Sequence, residues 1–323
     1  MQAYTSNQKI INSQKIKKAA KEIGFDFCGI APAEELENEK YFYKKWLSLG
    51  YHGKMSYLEK NFELRFNPSL FFENAKSVIS LAVNYFPQEK QNPYSYYKIS
   101  KYAYGRDYHL LLKKKISQLH EYLKEELGHI NGRGFVDSAP VLEKTWAQKA
   151  GLGWTGKNGC FIIPKHGSYY FLGELIVDME LAYDEPFMKN HCGNCTKCLD
   201  NCPTGAIEEN NCINAQKCIS YLTIELKDDL AINTNSPKFK NWIFGCDICQ
   251  DICPWNKFAK PAKKNFFKPN ETILNYNDNQ WENLSKEQYS SYIKKASSPI
   301  ARIKYDKLKS NIKFVKQFKI KKD

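Results

Sequence analysis

Seven cysteines stand in two short runs, and their spacing constrains this chain more than any other feature. The first run is Cys192, Cys195, Cys198 and Cys202, followed by Pro203; the second is Cys246, Cys249 and Cys253, followed by Pro254. The pattern C-x2-C-x2-C-x3-C-P is the one with which bacterial two-cluster ferredoxins hold 4Fe–4S cubes, the fourth cysteine reaching across to the other cube. A tight turn sets three thiolates on three irons, and the proline then carries the chain away. Two cubes need eight thiolates, one more than the runs supply, because the first position of the second run is Ile243. Cys212 and Cys218 lie between the runs, and either can complete the set, with Cys218 the expected one. The crossing rule then assigns Cys192, Cys195, Cys198 and Cys253 to one cluster. Cys202, Cys218, Cys246 and Cys249 fall to the other. Zinc ribbons use paired CxxC knuckles without a third cysteine at this spacing or a CP exit, so iron–sulfur is the better reading.

Compartment disfavours disulfides. The chain opens MQAYTSNQKI, without a secretory h-region, and contains no apolar run long enough to span a bilayer. A cytosolic protein without a membrane partner is expected, and there dense cysteines mean metal or redox work. Cys28 and Cys160 stand alone and read as small buried hydrophobes. The 48 Lys and Arg outnumber the 35 Asp and Glu, for a formal charge of +13, which favours a polyanionic partner without demanding one. Much of the excess falls between Lys294 and Lys322, where Tyr305, Phe314 and Phe318 are interleaved.

Ahead of the cysteines, periodicity predicts a helix over Asn12–Ile23 stopped by Gly24, and strands over Phe25–Ile30 and Ser77–Tyr85. Leu112, Ile116, Leu119, Leu123 and Leu127 line one face of a helix from Tyr108 to Leu127, ended by Gly128. A short strand at Gly134–Val136 and a helix at Pro140–Ala150 come next. Phe161–Pro164 and Tyr169–Val177 then read as a strand pair turning at His166-Gly167. The expected architecture is an α/β or α+β domain over 1–185 and a ferredoxin-like two-cluster domain over 186–260. A linker and a short basic extension fill 261–323.

Two further features invite a chemical reading. Gly151, Gly153 and Gly156 match G-x-G-x-x-G, but they follow a helical stretch and lead into a strand, the reverse of a dinucleotide fingerprint. They read instead as a loop whose backbone approaches some other large ligand, with a plain helix end accounting for at least one glycine. Asp137 sits where a strand ends, in GFVDSAPVLEK. It, or Ser138, can cap the next helix. Alternatively Asp137 is an acid, provided its surroundings raise it from the ordinary carboxylate range.

The stretches GYHGKMSYLEKN, KYAYGRDYH, VDSAPVLEKTWAQKAGLGWTGKNGC, GSYYFLGELIVD, HCGNCTKCLDNCPTGAI and FGCDICQDICPWNKFA together resemble the epoxyqueuosine reductase family, cobalamin-dependent iron–sulfur enzymes of tRNA queuosine synthesis. The likeness runs through most of the chain, with Lys144 where an arginine is common. It implies a cobalamin domain feeding on two 4Fe–4S clusters, with the eight cysteines named above as ligands. It also implies Asp137 as catalytic acid, held neutral beside an electron-rich cobalt. Arg65, Asp137, Phe161, Leu172 and Ser220 become corrinoid contacts. Thr223–Lys227, Trp255–Lys257 and the basic tail become RNA contacts. The implied substrate is tRNA carrying epoxyqueuosine, and the implied co-reactant is an external low-potential electron donor. Nothing demands more than a monomer. A related corrinoid reductase of halogenated small molecules, or a bare electron-transfer module, are the alternatives.

Overall fold

The computed structural model describes residues 5–128, 130–137, 139–208, 212–230, 239–263 and 265–319. Helix α1 (Ser6–Ile23) begins earlier than its apolar stripe because the Thr5 hydroxyl caps the Gln8 amide. Gly24 ends it at φ 107°, a left-handed C-cap open chiefly to glycine. Strands β1 (Phe27–Pro32), β2 (Ser77–Asn84), β4 (Gly132–Phe135) and β7 (Tyr170–Val177) form one sheet in the order β1-β2-β7-β4. Every pairing in it is antiparallel, so the first region is α+β, without the parallel crossovers of a doubly wound sheet.

The two central strands are buried on both faces, and alternation divides their side chains. Ile79, Leu81 and Val83 of β2, with Phe171, Leu175 and Val177 of β7, face α1 and helix α3 (Tyr108–Leu127). There they meet Ile16, Ala19, Leu112, Ile116, Leu119 and Leu123. Val78 and Ile176 face the other way, toward Trp146 of helix α4 (Glu143–Lys149). Small residues bring α4 close on that side: a Cβ at Gly29 would stand 2.1 Å from the Ala150 carbonyl oxygen. The same face carries Glu174, fully buried in the middle of β7 opposite Ser80.

The expected pairing of Phe161–Pro164 with Tyr169–Val177 is not found. Strand β6 (Phe161–Ile162) pairs with β5 (Trp154–Thr155), and only an isolated bridge joins Ile163 to Gly167. Lys165 and Gly167, both at positive φ, turn the chain out of that hairpin and into the main sheet.

Among its described residues the cysteine segment contributes the short α-helices α5 (Lys197–Asn201), α6 (Ile219–Ile224) and α7 (Ile248–Asp251). It shares a core with distant parts of the chain. Strand β3 (Lys98–Ile99) pairs with β8 (Trp242–Phe244), and around them pack Tyr97, Leu222, Trp281, Leu308, Ile312 and Phe314. The lysine-rich stretch thus contains an amphipathic helix, Tyr305–Lys316, whose inner face is buried. Asn311 fastens it, donating to the backbone oxygens of Thr223 (2.9 Å) and Ile243 (3.0 Å). Phe314, with Phe239 and Phe318 against its ring, is a core residue, not a base-stacking platform.

Candidate active site and cysteine quartets

Asp137 lies on the bend after β4, at φ 45°. It does not cap α4, whose N-cap position is Leu142 and has no side-chain cap bond. Ser138, the other capping candidate, lies outside the described residues. The bend is held by the Asp137 amide, which donates to Glu143 Oε1. That turns the Asp137 carboxylate away from α4 and toward the start of α3. Tyr108 Oη donates to Asp137 Oδ2 at 2.7 Å, and His109 Nε2 stands 3.1 Å from the same oxygen. The other ring nitrogen, Nδ1, lies 2.7 Å from Asp107 Oδ1. Tyr108 stacks between His109 and Phe171, at ring separations of 4.2 and 4.0 Å, which fixes both donors. From the C-terminal region Arg302 reaches to 4.0 Å of Asp137 and pairs with Glu225 at 2.6 Å. The Asp137 side chain remains 42% exposed, so the group is open to an entering ligand.

The protein's own groups work against a neutral Asp137. Burial pushes its pKa up, but hydrogen bonds from His109 and Tyr108 and the charges of His109 and Arg302 outweigh that, and it falls below the ordinary range. His109 rises to about 9, through its hydrogen bonds to Asp107 and Asp137. The protein's own residues therefore place the proton on His109 and leave Asp137 as carboxylate at neutral pH. Behind them lies a second acidic pair. Burial and the nearby Asp137 charge raise Glu143 to about 8. Burial and Glu143 raise Glu174 further, and neither Glu174 carboxyl oxygen has a hydrogen-bond partner among the described residues.

The remaining proposed corrinoid contacts are dispersed. Arg65 is buried, donates to the Tyr57 carbonyl at 2.9 Å, and leaves its Nε without a partner among the described residues. Tyr57 in turn lies in the field of Arg302 and Asp137, so Arg65 braces one wall of the site. Phe161 and Leu172 share a small apolar cluster with Ala82, Ala147 and Leu152. Ser220 is the second residue of α6, and its amide points at the Cys218 thiol. The glycine loop is engaged with its own chain. A Cβ at Gly153 would meet the Ile162 carbonyl oxygen at 2.0 Å, and Gly151 occupies the left-handed turn at the end of α4. Lys144 donates to the Gly159 carbonyl at 2.6 Å, giving that substitution a local structural task.

The cysteines gather into two sets. Cys198 feels Cys192 and Cys253, and Cys253 feels Cys192 and Cys195; all four line one hollow. Cys246 feels Cys218 and Cys202, and Cys249 feels Cys246 and Cys218. Cys212 instead neighbours Glu208 and Lys45. Among the described residues no three His, Cys, Asp or Glu converge on a point that could hold a single metal ion. Two sets of four thiolates meet the requirement of two 4Fe–4S cubes, each iron taking one thiolate. Backbone donors add to the fit, with the Ala206 amide 3.3 Å from Cys202 Sγ. Cys160 is not an isolated hydrophobe: its thiol hydrogen-bonds Cys249. Cys28 is one, with burial pushing its pKa up to about 12.

Three residues proposed for RNA have other tasks. Thr223 is buried, its hydroxyl bonded to Ile219 O and the Gly245 amide. Asn256 is tied to Ser168 and to the Gln250 carbonyl. Trp255 borders the hollow of the first quartet.

Comparison with known proteins bears on this geometry. Residues 191–256 match a family described as "4Fe-4S double cluster binding domain", and residues 65–138 match "Epoxyqueuosine reductase QueG, DUF1730". An epoxyqueuosine reductase of Cyclobacterium marinum is 48% identical over 94% of this chain and 97% of its own length. The chain belongs to the epoxyqueuosine reductase family. The Escherichia coli member is 41% identical over 81% of this chain and 69% of its own length. Among solved structures, an epoxyqueuosine reductase with an epoxyqueuosine-modified tRNA-Tyr stem loop superposes at a TM-score of 0.84 with 29% identity. That match covers 94% of this chain and 80% of the other. The family's 4Fe–4S region thus falls on both cysteine quartets, and its reductase region ends just past Asp137.

Proposed function

We propose that this chain reduces the epoxide of epoxyqueuosine, at the wobble position of a tRNA anticodon, to the alkene of queuosine. The reaction consumes two electrons and two protons and releases the ring oxygen as water. One observation carries the reading: an accessible carboxylate–imidazole pair, Asp137 with His109, belongs to the same chain as two quartets of cysteines.

Two 4Fe–4S clusters would be held by Cys192, Cys195, Cys198 and Cys253, and by Cys202, Cys218, Cys246 and Cys249. Cobalamin would be held by Arg65, Asp137, Phe161, Leu172 and Ser220. When bound, it gathers single electrons from the clusters into one reactive centre. The unpartnered Arg65 Nε offers a donor to such a ligand. Both nitrogens of His109 are committed, so this imidazole is not offered to cobalt.

The ring oxygen is a poor leaving group until protonated. As its C–O bond weakens, the proton held on His109 Nε2 crosses 3.1 Å to the Asp137 carboxylate, which hands it on to the leaving oxygen. Asp107 holds the other edge of the imidazole and favours its charged form. Arg302 reaches to 4.0 Å of the same Oδ2 and ties the C-terminal region to the reaction. The division into an acid-bearing region (1–185), an electron-relay region (186–260) and a C-terminal region that supplies Arg302 (261–323) follows from these roles. One chain holds every named group, so a monomer suffices. No described helix is long and apolar enough to cross a membrane, and a tRNA substrate fits the cytoplasm.

The test is Asp137→Ala in an anaerobic tRNA assay, with the modified nucleoside read by mass spectrometry. Turnover should fall by roughly 10²–10⁴, while iron content, corrin absorbance and tRNA affinity stay at wild-type level. Full turnover in this variant would remove the acid role. His109→Asn should lose comparable activity and the alkaline limb of the pH–rate profile.

A further inference from the structure

We infer that the face around the hollow of Cys192, Cys195, Cys198 and Cys253 is the docking surface for a small acidic one-electron carrier protein that reduces this enzyme. The inference rests on the cluster reading of that quartet.

The hollow measures about 300 Å³, and the four cysteines lie in its wall together with Lys157, His191, Trp255 and Lys257. Electrons tunnel only over short distances, so a donor must bring its own centre close to this wall. Phe258 lines the hollow and is 38% exposed, and Met188 (84%) and Ile252 (39%) are exposed close in sequence to Cys192 and Cys253. Each lies within a few residues of a quartet cysteine. Around them stand the exposed lysines Lys189, Lys197, Lys257 and Lys260. None of these four has a carboxylate within ion-pair distance among the described residues, whereas Lys9, Lys17, Lys54 and Lys316 elsewhere do. Of the acids close in sequence, Asp251 is paired with Lys101, while Glu185 and Asp200 stand exposed among the more numerous lysines. An apolar centre inside a rim of net positive charge is the anatomy of a small, transient, electrostatically steered interface.

Charge alone would also suit RNA, but the arrangement favours protein. The Asp137 site, where the modified base must enter, is built from Tyr57, Tyr108, His109, Glu225 and Arg302. None of these borders the hollow. Methionine, isoleucine and phenylalanine side chains give a protein an apolar footing that a phosphate backbone cannot use. Donor and tRNA can therefore be bound together, and each epoxide is reduced by two successive one-electron transfers. In each, the carrier is oxidised by one electron and the quartet's cluster is reduced by one.

The experiment uses the anaerobically reconstituted holoenzyme and, as probe, an acidic plant-type 2Fe–2S ferredoxin, a low-potential one-electron carrier. Wild type is compared with the triple variant Lys189→Glu, Lys197→Glu, Lys260→Glu, which touches no cysteine and no Asp137 partner. Three quantities are read: the stopped-flow rate of cluster bleaching by reduced ferredoxin, tRNA affinity, and turnover with dithionite. The bleaching rate should fall roughly 10- to 100-fold at low salt, with the difference shrinking as salt screens it. tRNA affinity and dithionite turnover should be unchanged. An unaltered bleaching rate overturns the proposal, as does loss of tRNA affinity, which would make this an RNA face. Failure of the function reading looks different: wild type itself would not convert epoxyqueuosine with dithionite.

Discussion

Replacing Glu143 by Gln tests whether the acid pair behind Asp137 is stored in its neutral form. Gln keeps an oxygen to accept the Asp137 amide and imitates the protonated carboxyl in shape, but it cannot ionise. In the wild type, burial and then the Asp137 charge raise Glu143 from 4.5 to about 8, with Lys144 and His109 pulling the other way. Glu174 is the further acid beside it. The sign follows from proton counting. Below pH 4.5 Glu143 is protonated in folded and unfolded chains alike and costs nothing. Between 4.5 and 8 the unfolded chain ionises while the folded one stays neutral, so stability falls by about 1.4 kcal/mol per pH unit. From pH 5 to pH 7 this one group removes about 2–3 kcal/mol. Gln escapes the loss. Denaturant unfolding of both holoproteins at the two pH values, taken as a double difference, cancels the common contribution of the clusters. The variant should gain about 2–3 kcal/mol on the wild type as pH rises. Parallel stability curves would refute the reasoning and mean that Glu143 is ionised in the fold.

Three further outcomes are expected. Cys212→Ser should keep about eight irons per chain and Cys218→Ser should not, as read by iron analysis and by absorbance. Asn311→Leu loses both bonds that fasten the C-terminal helix to Thr223 and Ile243 and leaves buried carbonyls bare, a destabilisation of about 2–4 kcal/mol by denaturant midpoint. Gly29→Ala sets a methyl group against the Ala150 carbonyl oxygen and should lower the melting temperature by several degrees through about 1–3 kcal/mol of overpacking.

Periodicity located the elements that are long or amphipathic. The Tyr108–Leu127 helix is found with those limits, because its leucine stripe, its Asp107 N-cap and Gly128 all agree. Partnerships were less legible. Phe161–Ile162 and Tyr170–Val177 are both apolar and close in sequence, yet they join different sheets, since the turn at Lys165–Gly167 redirects the chain. The lysine-rich C-terminus has the composition of a polyanion-binding tail. Its buried face shows only once Leu308, Ile312 and Phe314 meet Phe239 and Trp242.

Cysteine spacing was enough to call for two iron–sulfur sites, because a cube's geometry is local and a few residues of chain either satisfy it or do not, but it left the eighth ligand between Cys212 and Cys218. The protonation of Asp137 was not available at that level. It depends on Tyr108 and His109, about thirty residues away, and on Arg302 at the far end of the chain. A carboxylate's charge is settled by whatever dipoles and cations fold up against it, and the chain's linear order does not record that company.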